Sequence, residues 1–380
     1  MVLLTLAAAT LAVKTMSNNS ENSQIARDKI TAAALAQAKD ALIGYAVQDM
    51  NRPGKMPCPD SNNNGTVDIF SGDDCPSYIG RLPWKTLDLP DLHDGNGERL
   101  WYAMSRNFRD RVSAQPINSD TQGMLTVYAT DKTLLANQAV AIIFSAGDTL
   151  PGQNRSSANI NLISNYLDQS NCPGIDCRDN TVATGPFFLG PVSDSNGNTT
   201  LNDKLLVIQA KDFIPTVEKR VAKELSDWLQ TYFSANHYYP YPAKASGCNQ
   251  NNCQGDVNIC RGRFPSSAAT GNASLSGIPS YFFNNQWYRE IYYSAGKASL
   301  QSPAGITCQN TLNVSGSAVS TLFFMPGTPI SNARFNNPSN SLADYLEDTE
   351  NQDGWSAGAN DTYVIPTSTS MDRDRLYSLP

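Results

Sequence analysis

The residues best spaced for chemistry lie in Asp60-Ser-Asn-Asn-Asn-Gly-Thr-Val-Asp68. Asp60, Asn62, Asn64, Thr66 and Asp68 place oxygens at alternating positions, with Gly65 where the chain must turn sharply. This is the way a chain wraps Ca2+, a hard cation that takes about 6–8 oxygen ligands. Ser71 stands where such a loop closes on a glutamate, so Asp73 or Asp74 would have to take that part. The rival reading is a plain turn in an Asn-rich chain. A second loop, Asp194-Ser-Asn-Gly-Asn-Thr-Thr-Leu-Asn-Asp203, is a weaker cation candidate.

Eight cysteines follow a different chemistry: Cys58, Cys75, Cys172, Cys177, Cys248, Cys253, Cys260 and Cys308. Their even number, and the Pro, Asn, Asp and Gly around them, favour disulfides and an oxidising compartment. Cys172 with Cys177 and Cys248 with Cys253 are the easiest local pairs, and Cys58 with Cys75 is a further pairing to test. Zinc is disfavoured because no two cysteines have the tight spacing of a zinc knuckle, and His93 and His237 lie far from most of them.

No nucleophile, base and orienting group stand out for catalysis. His93 and His237 are the only histidines, which leaves little for a His-based triad. Carboxylates are plentiful, but no pair is singled out as in a glycosidase. Gly95-Asn-Gly97 lacks the preceding buried strand that a dinucleotide fingerprint needs. The net charge of −7, with no basic stripe interleaved with aromatics, argues against nucleic acid as a partner.

These residues must be positioned by a chain of 380 residues, enough for two or three domains with their own cores. A helix is predicted from Ile25 to Val47, with Ile25, Ala32, Leu35, Leu42 and Tyr45 near helical spacing and Pro53-Gly54 as its stop. Ahead of it, Met1–Val13 is apolar or small. That run is shorter than the roughly 20 residues of a bilayer span. It suits a signal-peptide core, the tail of a longer membrane helix that starts upstream, or a buried helix. Residues 1–20 are therefore expected to form an anchor- or signal-like segment. Strands are expected at Leu125–Tyr128, Val140–Phe144, Phe187–Leu189 and Leu205–Ile208, and a short helix at Asn161–Asp168. A second amphipathic helix, Pro215–Phe233, carries Val217, Val221, Leu225, Trp228, Leu229 and Tyr232 on one stripe.

The chain also repeats itself. Ala139–Arg155 resembles Ala318–Arg334, and at the same offset Asn165-Tyr-Leu-Asp168 matches Asp344-Tyr-Leu-Glu347. Gly80-Arg-Leu-Pro83 pairs with Gly262-Arg-Phe-Pro265, Leu100-Trp-Tyr102 with Ile291-Tyr-Tyr293, and Asp203-Lys-Leu-Leu206 with Asp374-Arg-Leu-Tyr377. The order is kept throughout. We read two units, residues 21–210 and a degenerate copy at 211–380. Each is expected to be a long helix on a loop-rich antiparallel sheet, an α+β class.

The first unit resembles the pilin-like proteins of type IV pili and type II secretion, the pseudopilins. The resemblance lies in the order of its parts: an apolar segment running into an Ala-rich helix, a cysteine-bearing loop, Gly80-Arg-Leu-Pro83, then Asp94-Gly-Asn-Gly-Glu-Arg-Leu-Trp-Tyr102. It covers Met1–Tyr102, and the remainder only by architecture. It implies a non-enzymatic subunit anchored in a bacterial inner membrane by its N-terminal helix, with a periplasmic head, its partners being other pilin-like subunits of a filament. Heads of this family that bind structural calcium make the Asp60 loop more credible as a site. The prepilin cleavage motif and the early glutamate of the family have no counterpart here. The start is then misplaced, or the protein is not processed as a pilin. A doubled head would crowd a filament shaft, which points to a tip or accessory subunit. The alternative is a secreted or periplasmic binding module, for example for glycans, using Tyr238, Tyr239, Tyr241 and Trp287. The bland reading of those aromatics is core packing.

Overall fold

The computed structural model describes residues 2–68 (side chains from residue 21), 74–110, 116–170, 177–244, 248, 253–301, 308–327, 329, 334, 342–352, 360–366 and 374–380. The chain forms two compact units. The first comprises residues 1–45, 56–111 and 123–209. The second takes 210–380 and also the short stretches 46–55 and 112–122.

Helix α1 (Val2–Gln48) opens the first unit. It begins well before the predicted start and runs straight through the polar stretch Ser17–Gln24. Among its described side chains Thr31, the adjacent Ala34 and Leu35, Ala38, Leu42 and Ala46 are the buried positions, recurring about once per turn, so one narrow face is covered. The strands of this unit are β1 (Ile79–Arg81), β2 (Trp101–Met104), β3 (Leu125–Tyr128), β4 (Leu134–Ala139), β5 (Ala141–Ser145), β6 (Phe187–Phe188), β7 (Val192–Ser193), β8 (Thr199–Leu201) and β9 (Lys204–Ile208). A four-stranded sheet has the order β1-β2-β5-β9 and is antiparallel throughout. A three-stranded sheet, β4-β3-β6, pairs β3 with β6 in parallel, and β7 and β8 form a hairpin. Trp101, Val127, Ile142, Phe144, Tyr166, Leu167 and Phe187 fill the core between them.

The second unit opens with α2 (Ile214–Asn236), whose buried Val217, Val221, Leu225, Trp228, Leu229 and Tyr232 are the predicted stripe. Then come β10 (Arg261–Arg263), α3 (Ser280–Asn284), α4 (Trp287–Glu290), β11 (Tyr292–Ala295), β12 (Leu312–Val314), β13 (Ser317–Val319), β14 (Thr321–Met325), α5 (Thr349–Gln352), β15 (Thr362–Tyr363) and β16 (Arg375–Leu379). Its four-stranded sheet is β10-β11-β14-β16 and its three-stranded sheet β13-β12-β15, with β12 parallel to β15. In the four- and three-stranded sheets the order and directions repeat those of the first unit; among the described residues the β7–β8 hairpin belongs to the first unit alone.

The register fixes the equivalences. Tyr102 lies opposite Gly80 and Ile143, and Tyr293 opposite Gly262 and Phe323. The two glycines are required by close approach: a Cβ on Gly80 would sit 2.8 Å from the Asp60 carbonyl oxygen, and one on Gly262 2.2 Å from that of Ala243. Phe144 faces Trp101 and Phe324 faces Tyr292, so Phe144 corresponds to Phe324. The sequence alignment, which set Phe144 against Phe323, is one residue out of step in this strand.

The α+β expectation is corrected. Among the described residues the sheets are small and scattered, with four, four, three, three and two strands, and only α1 and α2 are helices longer than five residues. Among the described residues no helix is long and apolar enough to cross a membrane. The reason is visible in α1, where the apolar run ends at Lys14 and polar Ser17–Gln24 follows. Asn161–Asp168, expected as a helix, contains only a single 3-10 turn at Ile163–Asn165.

Candidate functional site

Asp60 enters its loop under tight control. Pro57 and Pro59 flank Cys58, which is bonded to Cys75 with Cα atoms 5.6 Å apart. The main chain of Asp60 then bridges to Arg81 at the end of β1, its N–H reaching the Arg81 carbonyl at 2.9 Å and its carbonyl accepting the Arg81 N–H at 2.7 Å. Its carboxylate turns back into the loop. Oδ1 accepts the N–H groups of Asn62 at 3.1 Å and Asn64 at 3.3 Å, and Oδ2 accepts that of Gly65 at 2.6 Å. Asn64 Oδ1 accepts the Thr66 N–H at 2.7 Å, and Asp68 Oδ2 accepts the Ser61 N–H at 3.0 Å. Gly65 has φ +85°, a conformation that costs any residue with a Cβ, and a Cβ there would also strike the Trp84 indole at 2.6 Å.

The loop therefore closes on its own carboxylates. Ser61, Asn62, Asn64, Thr66, Val67, Asp68 and Pro76 line a cavity of about 340 Å³. Asp60, Asn62, Asn64, Thr66 and Asp68 are thus linked in one hydrogen-bonded loop, while Asp73 lies outside the described residues. Asp74 is placed elsewhere. The Tyr78 hydroxyl and then the Arg106 guanidinium hold its carboxyl below the usual range, and Arg109 pairs with it at 3.3 Å. The donor set is two carboxylates plus amide and hydroxyl oxygens, which suits a hard cation such as Ca2+ and not zinc. Among the described residues no cluster of three or more His, Cys, Asp or Glu has metal-binding geometry. The second loop does less: Asp194 accepts the N–H groups of Asn196 and Asn198 at 2.8 Å each, while Asp203 is fully buried away from it.

The other sequence candidates sort as follows. Cys248 pairs with Cys253 and Cys260 with Cys308, both in the second unit. Cys172, the expected mate of Cys177, lies outside the described residues. His93 sets Nδ1 2.9 Å from the Asp91 carbonyl oxygen, and His237 caps α2 with φ 64°. Trp287, Tyr239 and Tyr241 are buried, while Tyr238 is half-buried and packs edge-on against Tyr232 with ring centroids 5.9 Å apart. Trp287 is wholly inaccessible. A different cleft, of about 570 Å³, opens between one face of α2 (Glu224, Asp227, Trp228, Tyr232) and residues Ala273–Pro279. Trp228 Nε1 donates to the Ser276 carbonyl at 3.0 Å and the Tyr232 hydroxyl to that of Ala273 at 3.1 Å, so these bonds fix the cleft walls to each other at its floor.

Sequence reasoning missed the buried polar groups. The Arg81 guanidinium lies 4.2 Å from the Trp101 ring and 4.0 Å from the Tyr166 ring, and bonds the Arg99 carbonyl at 2.8 Å. Burial pulls its pKa down to about 10. Arg263 lies 4.4 Å from the Tyr345 ring and bonds the Arg289 carbonyl. In the second unit Arg334 pairs with Asp120 at 2.6 Å and Glu290 at 3.4 Å, while Glu218 accepts the Ser119 hydroxyl at 2.5 Å. Burial pushes the Asp120 carboxyl well up, with Glu290 beside it adding to the shift. The available signal was the repeat: Arg81 and Arg263, Tyr166 and Tyr345, and Arg155 and Arg334 all fall in matched segments.

Compared with known proteins, the chain matches no family model, and neither a curated protein nor a solved structure is significantly similar to it.

Proposed function

We propose that the chain is a non-enzymatic assembly subunit of the pilin-like kind, an extracytoplasmic head of two repeated units carried on a long helix that packs with neighbouring subunits. The observation that carries this reading is α1. It spans 47 residues, roughly 70 Å at helical rise, and the first buried position among its described side chains is Thr31. Residues 21–26 are all exposed, with Ile25 54% accessible. Helix that the head does not cover is surface for a partner, and an exposed apolar residue on it is where a partner gains most. Three disulfides support an oxidising compartment. Calcium in the Asp60 loop would serve as a structural ion of the head.

Photo-crosslinking from position 25 or 30 of the full chain in its native host tests this. The proposal expects adducts to other pilin-like subunits, lost on Ile25→Glu with Ile30→Glu while the melting temperature holds. Adducts confined to the chain's own head would contradict it. The α2 cleft favours a second reading, a ligand-binding head. Under that reading Trp228→Ala abolishes binding of a small ligand and leaves the crosslinks intact.

A further inference from the structure

One wall of the α2 cleft is built from chain that the repeat does not account for. Gly262-Arg-Phe-Pro265 and Ile291-Tyr-Tyr293 match Gly80-Arg-Leu-Pro83 and Leu100-Trp-Tyr102, but the stretch between the two motifs is longer in the second unit. That longer stretch carries α3, α4 and the wall Ala273–Pro279. The opposite wall is α2, where Glu224, Asp227, Trp228, Thr231 and Tyr232 recur at the spacing of one helix face. The loop wall turns at Gly277, whose φ of +90° favours glycine, and a Cβ there would lie 3.5 Å from Trp228 Nε1. Trp228 and Tyr232 form the floor, with ring centroids 5.0 Å apart. Among the described residues, Glu224 and Asp227 are the only charged side chains lining this cleft.

The two carboxylates are held differently. Glu224 is tied down on both oxygens: Oε1 accepts from Arg220 Nε at 2.8 Å and Oε2 accepts the Tyr281 hydroxyl at 2.6 Å. Arg220 is itself engaged elsewhere, donating to the Val47 and Asp49 carbonyls at 2.8 and 2.9 Å. Asp227 pairs with Lys223 at 2.6 Å, and those side chains are 60% and 75% accessible. An exposed ion pair one helical turn apart contributes little, so an incoming cation replaces Lys223 at small cost. We propose that the cleft takes a small organic cation, an ammonium carried on an apolar body, with the charge at Asp227 and the body on Trp228 and Tyr232. This rests on the second reading above, that the head binds a ligand here, and adds the ligand's chemical class. A mostly apolar lining with a few placed polar groups is the usual make-up of a small-molecule site. Aromatic rings beside carboxylates favour a cation, whereas an anion would meet two like charges.

The test is a titration of the ¹⁵N-labelled full chain with benzylammonium, benzyl alcohol and benzoate. The signal followed is the Trp228 indole N–H, assigned with Trp228→Phe. Benzylammonium should shift it saturably and bind about tenfold more tightly than benzyl alcohol, and benzoate should leave it unmoved. Asp227→Asn, a change at an exposed side chain, should bring the two affinities to within about twofold of each other. Benzyl alcohol binding as tightly as benzylammonium in the parent chain would overturn the cation class and leave the ligand-binding reading standing. So would a preference for the cation that survives Asp227→Asn. An indole signal that none of the three compounds moves would overturn both.

Discussion

Arg81 and Arg263 meet the same problem in two places. Each ends a three-residue strand beside a glycine, lies against aromatic rings and gives a guanidinium hydrogen bond to a main-chain carbonyl. Asn180 and Asn351 form a second such pair. Asn180 bonds both the N–H and the carbonyl of Phe188, at 2.7 and 2.9 Å, and Asn351 does the same to Val364 at 2.9 and 3.0 Å. One step before β1 and β10 the units part. Asp60 and Ala243 make the same bridge to the following arginine, but only Asp60 has a carboxylate to organise a loop. The difference teaches where to look for function. Buried polar groups present in both units hold the sheet, and what one unit has alone is free to be used.

The largest effect expected concerns what is shared. Arg81→Ala and Arg263→Ala each remove a cation stacked on rings and strand a buried carbonyl, at a cost of about 3–4 kcal/mol. Urea denaturation should find the two costs within about 1 kcal/mol of each other. A cost confined to one site would break the equivalence. Next comes a feature of the first unit. Cys58→Ser with Cys75→Ser opens a 17-residue loop and should cost about 3 kcal/mol, with no effect on exchange in the second unit. The smallest effect sharpens the contrast between Asp60 and Ala243. Calcium at about ten times its Kd should stabilise the first unit by about 1.4 kcal/mol. Asn62→Ala with Asn64→Ala should abolish the shift, and a melting curve that ignores calcium in the parent protein would remove the ion from the account. Asp60→Ala is the poorer variant, because that carboxylate also holds three loop N–H groups.

Much of this arrangement was readable in the chain. Gly80-Arg81 and Gly262-Arg263, Tyr166-Leu167 and Tyr345-Leu346, and Asp203 and Asp374 are all buried or strand-pairing positions, and packing limits what can replace them. That is why they stood out as a repeat. The one-residue slip at Phe144 arose because an apolar run carries no internal landmark. Asn180 and Asn351 were invisible for the opposite reason: a lone asparagine in a loop has no periodicity to mark it. The extent of α1 was missed because Ser17–Gln24 reads as polar linker, though polar residues are no bar to a helix. The passage of residues 46–55 and 112–122 into the second unit is a tertiary outcome that no local pattern encodes. At the candidate site the alternating oxygens of Asp60–Asp68 were legible, while the turning of Asp74 toward Arg106 was not.

The account's central claim is that one structural unit was built twice. Native-state hydrogen exchange on Asn180→Ala and Asn351→Ala tests it most directly. Each variant loses two buried hydrogen bonds, about 2 kcal/mol, which is roughly a 30-fold faster opening. The prediction is that Asn180→Ala accelerates exchange in Leu125–Tyr128 and Asn351→Ala in Leu312–Val314, by similar factors and each in its own unit. Acceleration of both segments by either variant, or of neither by one of them, would contradict it.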